Sequence, residues 1–145
     1  MRRFLLVNGP NLNTLGSREP KIYGTTTLAE IVERCVRLAA ERGCAVSAFQ
    51  SNHEGALIDF LQEQAGADGA ILNPGGLAHT SIVLRDAVAG CGFPVVEVHI
   101  SDVTKREPFR HHSYLTDVSA KSIVGQGVAG YEVALRWLIE ETERK

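Results

Sequence analysis

Five short runs rich in apolar residues, separated by stretches of helical periodicity, constrain this chain more than any other feature. They are Phe4–Val7, Ala45–Gln50, Gly69–Asn73, Val95–Ile100 and Ser122–Val124. Phe4-Leu5-Leu6-Val7 shows no polar alternation, as expected of a strand buried on both faces. Between the runs, Thr27 and Glu30 form a T-x-x-E capping box. Leu28, Ile31, Val32, Cys35, Leu38 and Ala39 then share one helical face, and Gly43 is placed to end that helix. Ser51 and Glu54 predict a second capping box, opening a helix that carries Leu57, Ile58 and Leu61. A third helix is expected over Ser81–Ala89. A last one starts near Gly127, with Val128, Tyr131, Leu135, Leu138 and Ile139 facing inward. Strands alternating with helices predict a parallel sheet covered on both faces. Five such units predict a three-layer, flavodoxin-like α/β fold with strand order 2-1-3-4-5. The whole chain, 1–145, reads as one domain.

That topology says where chemistry would gather. Ligands of open parallel sheets bind beyond the carboxyl ends of the strands, at the point where strand order reverses. Strands one and three end there in Asn8–Asn11 and Asn73–Gly76, and strand four delivers His99–Ser101 beside them. After strand one the chain stays polar and turn-rich to Gly24 and carries Asn11, Arg18 and Tyr23. Irregular segments of this length are uncommon in compact domains and are often functional, so residues 11–25 are expected to form a lid. A second polar loop, Ser101–Thr116, holds Arg106, Arg110, His111 and His112.

Composition narrows the partners. A net charge of -2 argues against nucleic acid, whose binders carry a basic face. No apolar run approaches the ~18 residues of a membrane span. Met1-Arg2-Arg3 precedes an apolar run too short for a signal peptide. The three cysteines, Cys35, Cys44 and Cys91, lack metal-type spacing and read as reduced residues of a cytoplasmic protein.

The individual motifs each have a plainer alternative. Gly125–Gly130 matches G-x-G-x-x-G, but no strand follows and no acid is placed to hold a ribose. Close packing of a strand against a helix is the better reading, and a nucleotide-binding protein rests on this motif alone. Receiver domains share the topology but need acids where Asn8 and Asn11 stand. The segment after strand one is also a poor flavodoxin phosphate loop, and Walker and G-x-S-x-G patterns are absent. His111-His112 lacks the further ligands of a metal site and reads as a solvated or interface pair. His79 and His99 each lie just past a strand end, and either an active-site or a structural role fits them. Glu97 is on the same side of the strand as His99, where its carboxylate orients the imidazole and favours its charged form. Pairing with a nearby arginine is the alternative for Glu97. Tyr23 shares its segment with Arg18, and Arg106 and Arg110 come to the same sheet edge from the second loop. Arginines beside a phenol favour the phenolate, so Tyr23 is a candidate base with His99 as acid.

Four blocks resemble the type II 3-dehydroquinate dehydratases. They are N-G-P-N-L-N-x-L-G-x-R-x-P-x-x-Y-G at Asn8–Gly24, N-P-G-G-x-x-H-T-S at Asn73–Ser81, E-V-H-I-S at Glu97–Ser101 and F-R-H-H-S at Phe109–Ser113. The match runs in order over nearly the whole chain. The resemblance implies a lyase that removes water from 3-dehydroquinate to give 3-dehydroshikimate, in aromatic biosynthesis or quinate breakdown. It implies no cofactor, no metal and no Schiff base, and assembly as a homododecamer, a tetramer of trimers. Lys21, Lys105, Lys121 and Lys145 all lie in polar or terminal stretches, in keeping with the absence of an imine.

Carried over by position, the resemblance makes Tyr23 the base that takes the C2 proton and Asn11 a stabiliser of the enolate through a water. Arg18 would lower the Tyr23 proton affinity and close with the lid, and Arg106 is placed near the Tyr23 hydroxyl. His99, held by Glu97, would protonate the leaving C1 hydroxyl. Asn73 and the main-chain N–H groups of Ile100 and Ser101 would hold the C1 carboxylate, and His79 and Arg110 would bind ring hydroxyls. Asp86 would reach into the site of a neighbouring subunit. Asp102 stands where the family commonly has Asn. Its carboxylate, beside a carboxylate-binding main chain, is expected to weaken KM unless Lys105 or Arg106 neutralises it. A binding or assembly module that has lost turnover is the alternative to an enzyme, and the presence of Tyr23, Arg18 and His99 favours the enzyme.

Overall fold

The computed structural model describes residues 1–17 and 19–143. Its five strands are all parallel, in the order β2-β1-β3-β4-β5. They are β1 (Arg3–Asn8), β2 (Ala45–Gln50), β3 (Gly69–Asn73), β4 (Val95–His99) and β5 (Lys121–Val124). The helices are α1 (Pro20–Tyr23), α2 (Leu28–Glu41), α3 (Glu54–Glu63), α4 (Ile82–Ala89) and α5 (Ala129–Glu143). This is the expected flavodoxin-like arrangement.

The alternation of side chains along β1 shows why the sheet needs two covering layers. Phe4 and Leu6 enter one core with Ile31, Cys35 and Ala39 of α2 and Leu135 and Leu138 of α5. Leu5 and Val7 enter the other with Leu57 and Leu61 of α3 and Leu84 and Val88 of α4. All four β1 residues are fully buried, each favouring the folded chain by about 1.5–3 kcal/mol before entropy is counted. Burial, and next the charge of Glu132, pushes the Cys35 thiol up to about 12, so it is a core residue without reactivity at neutral pH. No helix among the described residues is long and apolar enough to cross a membrane.

Two local expectations need correction. Thr27 and Glu30 do form the capping box of α2. Ser51 and Glu54 do not, because the Ser51 hydroxyl accepts from the His53 N–H at 2.9 Å and α3 begins only at Glu54. A hydroxyl satisfied two residues on makes a local turn instead of a cap. The segment after β1 is also less irregular than its composition suggests. It forms a 3-10 turn at Leu12–Thr14, anchored by the buried Leu12 and Leu15, and then the single turn of α1. Gly125–Gly130 serves packing: a Cβ on Gly130 would lie 3.3 Å from Ile123 Cγ2 and 3.5 Å from Val98 Cγ1. The start of α5 therefore lies close against β4 and β5.

Candidate active site

The carboxyl ends of β1, β3 and β4 frame a cavity of about 150 Å³. Its base depends on close approach between the loops after β1 and β3. Asn8 and Asn73 are register partners, and the Gly9 N–H donates to the Asn73 carbonyl oxygen at 2.8 Å. A Cβ at Gly9 would sit 2.6 Å from the Pro74 carbonyl oxygen, and one at Gly75 2.9 Å from that of Pro10. Only glycine allows the two main chains to meet this closely. Asn11 follows at φ 71, a left-handed conformation that Asn tolerates better than most residues. Its N–H is held by Asn52 Oδ1 at 2.9 Å.

Asn11, Tyr23, Asn73, His79, His99, Ile100, Ser101, Arg106 and Arg110 all line this cavity. Glu97 lies beneath it, behind His99. Asp86 does not contribute: it lies on the exposed side of α4, beside a separate groove. Arg18 lies outside the described residues.

The two arms of the site are built differently. On the sheet side, His99 Nε2 is 2.7 Å from Glu97 Oε2. Glu97 is completely buried, and three hydroxyls also donate to it: Ser113 to Oε2, and Thr116 and Ser122 to Oε1, each of these two at 2.7 Å. Burial alone would raise its pKa. The donors His99, Ser113 and Ser122, with the charge of His99, outweigh burial and bring it down to about 2. Glu97 is thus a carboxylate at neutral pH, with both oxygens engaged. With Nε2 committed to Glu97, Nδ1 is the His99 nitrogen left to face other partners.

On the loop side, Arg106 Nη1 donates to Tyr23 Oη at 2.6 Å, with the guanidinium carbon 5.4 Å from the ring centroid. The same nitrogen is 3.4 Å from Ser101 Oγ. The Arg106 carbonyl accepts from His111 Nε2 at 2.9 Å, which tethers the loop. His111 therefore holds main chain, and the His112 ring stands edge-on to Tyr114 at 5.0 Å. His79 Nδ1 faces the His112 carbonyl oxygen at 2.8 Å; a carbonyl only accepts, so Nδ1 carries the proton. Burial lowers the His79 pKa against the opposing effect of that carbonyl, and the charges of His99 and Arg110 lower it further. The neutral ring is favoured, and in it Nε2 is left as the acceptor. Arg110 is steadied by Glu107 at 3.0 Å.

Asp102 does not present its carboxylate to the cavity. Oδ1 caps the 3-10 turn Val103–Lys105, accepting from the Thr104 N–H at 3.1 Å and its hydroxyl at 2.6 Å. Those bonds, with Lys105 at 4.0 Å, hold its pKa below the ordinary carboxylate value.

Sequence reasoning missed five supporting residues. Ser113, Thr116 and Ser122 read as ordinary loop and strand-end polar residues. Asn8 reads as the start of the loop after β1. Tyr131, read as an inward-facing core residue, places its hydroxyl between Asn8 and Asn73. The usable signal was two asparagines ending neighbouring buried strands, since buried amides require partners.

The model of the family described as Dehydroquinase class II matches residues 2–139. The chain belongs to that family. It is 53% identical over 135 residues to catabolic 3-dehydroquinase 1 of Neosartorya fischeri, covering 92% of this chain and 90% of that protein. It is 49% identical over 142 residues to the 3-dehydroquinate dehydratase of Herminiimonas arsenicoxydans, covering 97% and 98% respectively. The crystal structure of the type II dehydroquinase from Propionibacterium acnes superposes with a TM-score of 0.93 at 37% identity, covering 97% of each chain. Membership of the class II dehydroquinases thus rests on sequence and on fold together.

Proposed function

We propose that this chain dehydrates 3-dehydroquinate to 3-dehydroshikimate, with Tyr23 as general base and His99 as general acid. What carries the reading is that two preorganised pairs, Tyr23–Arg106 and His99–Glu97, open onto one cavity in a member of this family. Tyr23, as phenolate, takes the proton from C2. The electron pair of that C–H bond moves toward the C3 ketone and gives an enolate. Arg106, which donates to the Tyr23 oxygen at 2.6 Å, holds the base in place, and Arg18 assists it as the lid over residues 11–25 acts. Asn11 stabilises the enolate oxygen through a water. Collapse of the enolate forms the C1–C2 double bond and expels the C1 hydroxyl, which leaves as water with a proton from His99. The Glu97 carboxylate stabilises the imidazolium before that transfer. Solvent then removes the proton gained by Tyr23 and restores the one lost by His99.

Asn73 and the main-chain N–H groups of Ile100 and Ser101 hold the substrate carboxylate. His79, with Nε2 as acceptor, and Arg110 bind ring hydroxyls. Among the described residues no lysine lines the cavity, and the proposed route proceeds without an imine. The reaction is the same in quinate breakdown and in aromatic biosynthesis, and the Neosartorya fischeri relative carries the name catabolic 3-dehydroquinase 1. Asp86 acts on the site of a neighbouring subunit in a dodecamer. Ile82 and Val83, 56% and 51% exposed, accompany it on α4 and form an apolar face that a subunit contact would cover.

The test is the appearance of conjugated-enone absorbance from 3-dehydroquinate, with Tyr23→Phe and a borohydride challenge in parallel. Turnover should survive borohydride in the presence of substrate and fall about 10²–10⁴-fold in Tyr23→Phe, the range of a general base. Loss of activity with borohydride would overturn the enolate route. Absence of turnover in folded, assembled wild-type protein would favour a binding module.

A further inference from the structure

Tyr131 lies on the first turn of α5, and no part of its side chain reaches solvent. Its hydroxyl donates to Asn8 Oδ1 at 2.6 Å and accepts from Asn73 Nδ2 at 2.8 Å. Asn73 Oδ1 in turn accepts from the Gly75 main-chain N–H at 3.0 Å. The polarity of this relay is fixed at one end. A main-chain N–H can only donate, so the Asn73 oxygen must face Gly75. The Asn73 nitrogen must then face Tyr131, and the single Tyr131 proton must go to Asn8. Reversing the Asn73 amide would set nitrogen against the Gly75 N–H and oxygen against a hydroxyl whose proton is already engaged. It would lose the bond to the Gly75 N–H, and it would keep a bond to Tyr131 only if that hydroxyl and the Asn8 amide turned as well. Burial also pushes the Tyr131 pKa above its ordinary value, so the hydroxyl stays protonated.

One N–H of Asn73 remains outside the relay, and Asn73 lines the cavity. We propose that Tyr131 is a positioning residue: through its buried hydroxyl it locks the Asn73 amide so that the remaining N–H is presented to the carboxylate of the bound substrate. This rests on the dehydratase reading and deepens it. Tyr131 touches no reacting atom. Its effect falls on carboxylate binding, which is common to substrate and product, and not on the proton transfers at Tyr23 and His99. The close packing of Gly130 against β4 and β5 is what brings the Tyr131 ring beneath the strand ends.

The experiment is a double-mutant cycle on Tyr131→Phe and Asn73→Ala, read as KM and kcat for 3-dehydroquinate, with thermal unfolding recorded for every variant. Tyr131→Phe should raise KM about tenfold, as expected for a weakened hydrogen bond to a charged group, with kcat changed by less than about threefold. In the Asn73→Ala background it should raise KM by less than about twofold, because the amide it orients is gone. Asn8→Ala keeps the tyrosine but removes the acceptor for its proton. It should also raise KM, and it decides the matter if the phenylalanine variant does not fold. Unchanged KM in these variants, or equal effects with and without Asn73, would overturn the proposal while leaving the dehydratase reading intact. A wild-type protein that does not turn over 3-dehydroquinate would overturn both.

Discussion

Replacing Glu97 by glutamine tests the electrostatics of the site through stability. The sign follows from the carboxyl being held at about 2 in the folded chain against its ordinary 4.5. A depressed value means that the unfolded chain takes up the proton first. The stabilisation is therefore fully present above about pH 4.5 and is lost as pH falls toward about 2. A difference of that size amounts to about 3 kcal/mol in all, of which about 2 kcal/mol disappears between pH 6 and pH 3. Three hydroxyls and one imidazole donating to a fully buried carboxylate are a sufficient source. Urea unfolding can be followed by the fluorescence of Trp137, the single tryptophan, at fixed protein concentration. Glu97→Gln should be less stable than wild type at pH 6, and its deficit should shrink by about 2 kcal/mol at pH 3. A deficit that stays constant across the two conditions would refute the reasoning, since it would mean that the ionised group contributes only its shape.

Two further outcomes follow from the main-chain geometry. Gly9→Ala sets a methyl against the Pro74 carbonyl oxygen, which is backbone and cannot swing away. It should lower stability by about 1–3 kcal/mol in urea unfolding and reduce kcat/KM, because the loops that frame the cavity must separate. Asp102→Asn keeps a capping oxygen for the Val103–Lys105 turn and changes a charge that is not among the groups lining the cavity. KM for 3-dehydroquinate measured at low salt should therefore stay within about twofold of wild type.

The sheet order, the strand ends and the cavity they frame were legible in the sequence because each follows from local pattern. Short apolar runs alternating with amphipathic helices leave few topologies, and the topology places Asn8, Asn73 and His99 side by side. The Thr27 cap was legible for the same reason, since its partners lie within one turn. The Ser51 box failed because the same hydroxyl had a nearer donor in His53. What stayed hidden depends on contacts across long stretches of chain. Ser113, Thr116 and Ser122 have nothing in their neighbours to mark them, yet they converge on one carboxylate. Tyr131 has the periodicity of a core residue, and periodicity describes its ring but not its hydroxyl. The direction in which the short Asp102 side chain turns is set by its bonds to Thr104, and position in the chain does not reveal it.

The division of the cavity between strand ends and loops has a consequence for ligands. Asn73 and His99 are fixed to the sheet, and their hydrogen-bond partners are buried. Tyr23, Arg106 and Arg110 come from connecting segments. A fragment that reaches only the sheet side meets groups already in place, so little ordering is required and its affinity per atom should be high. A larger inhibitor gains the arginines and the phenol only by immobilising the segments that carry them. Growing a fragment from the sheet side toward the loops should then bring diminishing returns per added atom, together with slower dissociation.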